Sequence, residues 1–270
     1  MKLTNVACIA LLAALTEQLM HEGTHALAVL LVGANLDAFH FWAVAHSFVH
    51  NPGSEIAEAI IAGSAALVDI LVAALCLVIL RTRLAETTRL FVFYFAAFCL
   101  FSGFGYLMVD PIIANSESHG DWAKVVMLLG GEWTVRVPII LVGAAGIVFG
   151  FFWFGRNALH IQVTGYSRKN TGLATCIMPY LLICSVFSIM SIWHPLGSDG
   201  MVAVMMKFWM GYIGFFWGFM IVFVWDSYMP PEDRTFQLSG RLNLPVMLVL
   251  CVSLIIVAYW LTLPIPEGLD

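Results

Sequence analysis

Residues 19–31 have the sequence LMHEGTHALAVLL, which puts a polar cluster inside the first long apolar run of the chain. His21 and His25 are four residues apart, so on a helix their side chains share one face and can bind a single ion. Glu22 follows the first histidine and comes close to the same ion without being a ligand itself. This stretch therefore predicts a helix that carries a metal site partway along its length.

The composition is that of a membrane protein. Of the 270 residues, 61% are hydrophobic and only 11% are charged, and a soluble chain could not cover so much apolar surface. The formal charge of −5 is small and spread along the chain, so the lipid bilayer is an expected partner and nucleic acid is not. The six cysteines lie in apolar runs without a CxxC pair, which indicates packing residues rather than a disulfide framework or a zinc ribbon.

Seven apolar runs are long enough to cross a bilayer, which takes about 20 helical residues. They cover residues 4–33, 56–80, 89–112, 123–154, 173–193, 201–226 and 244–263. We therefore expect an all-α fold, a polytopic transmembrane helical bundle of about 7 spans with a long connection after the first. The fourth run is unusually long, and Pro138 is the expected position of a bend in it. Residues 1–270 form a single integral membrane domain in this prediction.

Positive charge indicates how the chain is oriented in the membrane. Nine of the twelve Lys and Arg residues are Lys2 or lie in the connections 81–89, 155–172 and 227–243, and the alternate connections hold none. By the positive-inside rule the N-terminus is cytoplasmic. His21 and His25 then lie in the outer half of the first span, and the metal site is expected to open toward the outer face.

A catalytic zinc site needs a third protein ligand besides two histidines, with one position left for water. The candidates, in order of preference, are Asp121, Asp110 and Asp69. Asp121 belongs to a polar re-entry with the sequence SHGDW, and irregular backbone that lines a membrane cavity commonly holds ion sites. Asp110 is at the outer end of the third span, and Asp69 lies deep in the second.

Glu17 also lies within the first span, where an ionisable side chain is costly to bury and is a candidate for a functional role. It precedes His21 by one helical turn and shares its face. We expect the Glu17 carboxylate to accept a hydrogen bond from the ring nitrogen of His21 that does not bind the metal.

The H-E-x-x-H spacing is the arrangement of zinc metalloproteases, and its context resembles one family of them, the intramembrane zinc metalloproteases of the site-2 protease type. The matching segments are HEGTHALA at 21–28, AGSAA at 62–66 and GDW at 120–122. The resemblance implies that His21, His25 and Asp121 hold Zn²⁺. It also implies that Glu22 is the catalytic base.

This resemblance covers about the first half of the chain. Residues 1–130 would form the metalloprotease-like core, and residues 131–270 would add further transmembrane helices. The implied activity is a zinc-dependent endopeptidase that hydrolyses a peptide bond in or near the bilayer. Its substrate would be a membrane protein or a peptide.

Two other functions stay open at this point. The family's Asn-Pro-x-x-Leu-Asp-Gly signature and its PDZ-type domain are absent from this sequence, which fits a non-catalytic membrane subunit, a protease relic that packs with unknown partners in a larger complex. His46 and His50 repeat the H-x3-H spacing without the glutamate. That second pair fits a membrane metallo-oxidase, which would hold iron or copper.

Overall fold

The computed structural model describes residues 3–38, 48–50, 53–114, 120–158, 161–162, 168–192, 201–202, 205, 209, 211–215, 217–218, 220, 236–237 and 244–261. Its helices are α1 (Leu3–Leu31), α2 (Glu55–Ile79), α3 (Glu86–Ile113), α4 (Asp121–Leu128), α5 (Trp133–Ala158), α6 (Arg168–Gly172), α7 (Met178–Ser191) and α8 (Leu244–Leu261). A π-helical turn (Leu173–Ile177) joins α6 to α7. The predicted all-α class is confirmed.

The strands are short and belong to connections. β1 (Asn35–Ala38) pairs antiparallel with β2 (Phe48–His50), so the long connection after α1 contains a small two-stranded sheet. β3 (Ile161–Gln162) pairs in parallel with β4 (Phe236–Gln237). Neither pair interrupts the helical bundle.

Four helical segments are long and apolar enough to cross a membrane, which indicates a multi-pass membrane protein. They are Glu55–Ile79, Glu86–Ile113, Trp133–Ala158 and Asn170–Met190. The prediction of about seven spans is thus confirmed for four. α1 is 29 residues long but is not among them. Most of the predicted span 201–226 lies outside the described residues, and the predicted orientation stays a prediction.

The predicted fourth span differs from the structure. Instead of one helix bent at Pro138, the chain forms α4 and α5 with a break between them at Gly130 and Gly131, whose φ angles are +99° and +67°. Glycine adopts this left-handed backbone without the steric cost that a Cβ brings. Pro138 lies inside α5. α4 is therefore a short separate helix.

α3 lies at the centre of the bundle and packs against α1, α2, α4 and α5. Its Phe98 and Phe101 belong to a buried aromatic cluster that also includes Phe154 and Phe215. Gly103 brings α3 close to α2, since a Cβ at this position would lie only 2.7 Å from the Ala66 carbonyl oxygen. This close approach is what sets α2 against the middle of the bundle, next to the polar residues of α1.

Candidate metal centre

Three side chains from two helices converge at the middle of α1. Oδ2 of Asp121, the first residue of α4, lies 3.3 Å from Nε2 of His21 and 3.2 Å from Nε2 of His25. The three potential ligand atoms all lie within 4.8 Å of one another. His21 is 1% exposed and His25 6%, whereas the Asp121 side chain is 22% exposed. The group is thus buried at its two histidines and partly exposed at Asp121.

The second nitrogen of each histidine is engaged elsewhere, which fixes where its lone pair points. His25 Nδ1 lies 2.8 Å from the backbone carbonyl oxygen of Ile61, which can only accept a hydrogen bond. His25 Nδ1 therefore carries the proton, and in the neutral ring Nε2 keeps a lone pair. His21 Nδ1 lies 2.7 Å from Oδ2 of Asp69, and a carboxylate selects the same tautomer.

These tautomers leave two imidazole lone pairs and one carboxylate oxygen facing one another. Such a set is mutually repulsive unless a proton or a metal cation lies among its members. A tetrahedral ion with metal–ligand distances of about 2.0–2.1 Å separates its ligand atoms by about 3.3–3.4 Å, close to the two spacings at Asp121. The group therefore fits a metal ion with two nitrogen ligands and one oxygen ligand.

Glu22 is buried beside this group. It lies three residues before His25, so the two side chains are neighbours on the helix surface. Its carboxylate interacts electrostatically with His25 and with Tyr106 of α3. A carboxylate next to the three converging atoms can exchange a proton with a water molecule bound there.

The two other candidate aspartates have different partners. Asp110 accepts a 2.8 Å hydrogen bond from the backbone N–H of Trp122, in the first turn of α4. Asp69 contacts His21 at Nδ1, on the side away from Asp121. Of the three aspartates, Asp121 is the one that the structure brings to both Nε2 atoms.

The structure differs from the prediction for Glu17. The acceptor at His21 Nδ1 is Asp69, which approaches from α2. Oε2 of Glu17 instead accepts hydrogen bonds from the Tyr212 hydroxyl at 2.8 Å and from Nε2 of Gln18 at 2.5 Å. Glu17, His21 and Asp69 nevertheless form a second group whose potential ligand atoms lie within 4.8 Å of one another.

Two further residues, which had not been predicted, support the histidines. The ring of Tyr106 stacks on His21, with centroids 5.0 Å apart and an angle of 17° between the planes. The Ile61 carbonyl orients His25. Tyr106 precedes Asp110 by four residues and shares its helix face, a spacing that could have drawn attention to it. A backbone carbonyl leaves no such signal in a sequence.

The second histidine pair remains untested. His46 lies outside the described residues, and His50 is the last residue of β2, paired with Asn35 in the β1–β2 ladder. The metallo-oxidase alternative therefore stays a prediction.

The fold and the site together define a class: a multi-pass membrane protein with a buried His–His–Asp group that could hold a metal ion. Comparisons with known protein families, characterised proteins and solved structures give no significant match. The case for a function therefore rests on the geometry of the site and on the motifs in the sequence.

Proposed function

We propose that this protein is a zinc-dependent intramembrane endopeptidase, which hydrolyses a peptide bond in or near the bilayer. The observation that carries the proposal is the convergence of His21, His25 and Asp121, with the Glu22 carboxylate buried beside them. Two histidines and one carboxylate form a ligand set known from catalytic zinc sites, which keep a fourth position open.

In this proposal the three ligands and Glu22 have different roles. His21, His25 and Asp121 hold the ion, which when bound lowers the pKa of a water molecule and polarises the scissile carbonyl. Glu22 accepts the proton of the attacking water and passes it to the leaving amine. Asp69 and the Ile61 carbonyl keep the two imidazole rings in the tautomer that presents Nε2.

The position of the site bears on the kind of substrate. The site is buried among helices of a membrane protein, and the Asp121 side chain is its most exposed part. A substrate would therefore approach along α4. A transmembrane substrate keeps its carbonyls hydrogen-bonded within its helix, so the segment to be cut must unwind before attack. We expect cleavage near the end of a substrate helix or in a stretch with weak helix propensity.

We further propose that the N-terminus is cytoplasmic and that the site opens toward the outer face. The distribution of Lys and Arg supports this orientation. Reporter fusions after Lys2 and within the connection 81–89 should both report the cytoplasmic side. Reporters on the outer side at both positions would reverse the orientation, and a reporter on the outer side at one position alone would change the number of spans between them.

The catalytic role of Glu22 is tested with Glu22→Gln in purified protein, with fluorescein-labelled casein as an unfolded probe substrate. Wild-type protein should contain about one zinc per chain and cleave the probe, and Glu22→Gln should keep the zinc and lose about 100-fold or more of the rate. His25→Ala should lose both zinc and cleavage. Glu55→Gln, at an exposed position in the first turn of α2, is the matched control and should behave as wild type.

Other outcomes would redirect the assignment. Cleavage retained by Glu22→Gln would remove Glu22 from the mechanism. Wild-type protein that binds no metal and copurifies with partner proteins would favour the non-catalytic subunit. Stoichiometric iron or copper in place of zinc, dependent on His46 and His50, would favour the metallo-oxidase.

A further inference from the structure

Glu17 is a fully buried carboxylate on α1. It is 0% exposed near the middle of α1, where an isolated charge is costly. Both of its donors, the Tyr212 hydroxyl and the Gln18 amide, bind Oε2. Oε1 has no hydrogen-bond partner, and within the described ranges no Lys or Arg pairs with Glu17. Two neutral hydrogen-bond donors on one oxygen do not balance a full negative charge in a fully buried position.

A second buried carboxylate lies beside it. Asp69 is also 0% exposed, and its potential ligand oxygen lies within 4.8 Å of that of Glu17. Asp69 already accepts from His21 Nδ1, whose ring is neutral when Nε2 binds a metal. Two like charges this close repel each other strongly in a medium of low dielectric constant. A cation between the two groups would relieve this repulsion.

The buried amide of Gln18 is an independent indication of a bound cation. Gln18 is buried, and its Nε2 lies against Glu17, so the carboxamide is part of the same cluster. Its Oε1 finds no hydrogen-bond donor in the part of the chain that the structure describes. Buried polar oxygens normally have a hydrogen-bond partner, and one without a protein partner is expected to bind a water molecule or a ligand. A bound cation would give this amide oxygen, in the same buried cluster as the Glu17 carboxylate, the partner it lacks.

We propose that Glu17 and Asp69, with the Gln18 amide oxygen, bind a second divalent cation of the kind that prefers oxygen ligands, such as Mn²⁺ or Mg²⁺. Two carboxylates match the charge of a divalent ion. This site borders the His21–His25–Asp121 group through the contact between Asp69 and His21 but does not use His25 or Asp121. The proposal stands whether or not the protein is a peptidase.

The test uses full-length protein in detergent, first loaded with one equivalent of Zn²⁺ and then titrated with Mn²⁺, with free Mn²⁺ followed by its electron paramagnetic resonance signal. Wild type should bind about one Mn²⁺ per chain, and excess Mg²⁺ should compete. Glu17→Gln should weaken Mn²⁺ binding about 100-fold, because binding depends on ligand charge, while zinc content stays at one. His25→Ala should lose zinc and keep Mn²⁺. Glu55→Gln serves as the control.

Gln18→Met is a second variant that keeps the test usable if Glu17→Gln does not fold. It removes the amide oxygen at nearly unchanged volume. It should weaken Mn²⁺ binding about tenfold with full zinc content. Wild type that binds no Mn²⁺ would overturn the proposal and mean that a proton neutralises the carboxylate pair. Mn²⁺ binding insensitive to both Glu17→Gln and Gln18→Met would mark an adventitious ion only. Zinc is measured separately, so loss of the first site is distinguished from loss of the second.

Discussion

The backbone N–H of Trp122 donates a 2.8 Å hydrogen bond to Oδ2 of Asp110. Through this bond the end of α3 holds the beginning of α4, and Asp121 is the first residue of α4. Asp110 thus helps to position Asp121, the candidate oxygen ligand of the metal centre. The position of Asp121 therefore depends on a hydrogen bond made by the residue next to it in the sequence.

Replacing Asp110 should weaken zinc binding through this contact. We expect Asp110→Ala to lower zinc affinity about 10- to 100-fold, the range found when residues that orient metal ligands are removed. Asp110→Asn keeps an oxygen that can accept the Trp122 N–H and should recover most of the affinity. Competition with a zinc chelator measures both values. Wild-type affinity in Asp110→Ala would show that α4 is held by its other contacts.

The absence of a side chain at Gly120 should contribute to both stability and zinc binding. A Cβ there would lie 2.9 Å from Cγ of Asp110, so Gly120→Ala must move either the carboxylate or the start of α4. We expect Gly120→Ala to cost about 1–3 kcal/mol of stability, as overpacking does, and to weaken zinc binding. Gly105→Ala in α3 is the matched control, because no atom of the residues that the structure describes lies within 4 Å of its added Cβ. Equal melting temperatures for the two variants would contradict this prediction.

Removing the metal should destabilise the protein. Three atoms with lone pairs converge at the site, so the folded state loses a stabilising cation when a chelator removes it. With free zinc at about 100 times its Kd, the folded state gains about 2.7 kcal/mol relative to the metal-free protein. Thermal unfolding with and without zinc measures this difference. His25→Ala should unfold at the same temperature in both conditions, and a zinc-dependent shift in that variant would place the ion elsewhere.

The ring of Tyr106 should contribute to zinc binding by holding His21 in place. Tyr106→Phe keeps the stacked ring and should leave zinc affinity within about twofold of wild type. Tyr106→Leu removes the aromatic face, frees the imidazole to rotate and should weaken zinc binding about tenfold, at the low end for residues that orient ligands. Visible absorption of the Co²⁺-substituted protein reports the geometry directly. A Tyr106→Leu spectrum identical to that of wild type would contradict the role.

Several features of this protein follow from local spacing. His21 and His25 share a face because four residues make about one helical turn, and Glu22 is their neighbour for the same reason. The apolar composition indicated membrane-spanning helices, and four helical segments are long and apolar enough to cross a membrane. Asp121 was the preferred third ligand because it follows a polar break, and it does reach both histidines.

Other features depend on which helices face one another, which periodicity cannot specify. Sequence spacing suggested Glu17 as the partner of His21 because the two are close on one helix, but Asp69 comes nearer from α2, 48 residues along the chain. Asp110 was a second candidate ligand, and its hydrogen bond with the Trp122 N–H is a contact that sequence spacing does not reveal. The helical repeat shows which residues share one face of a helix. Which helix packs against that face is decided by packing among all the helices. The close approach of α3 to α2 at Gly103 is one such contact.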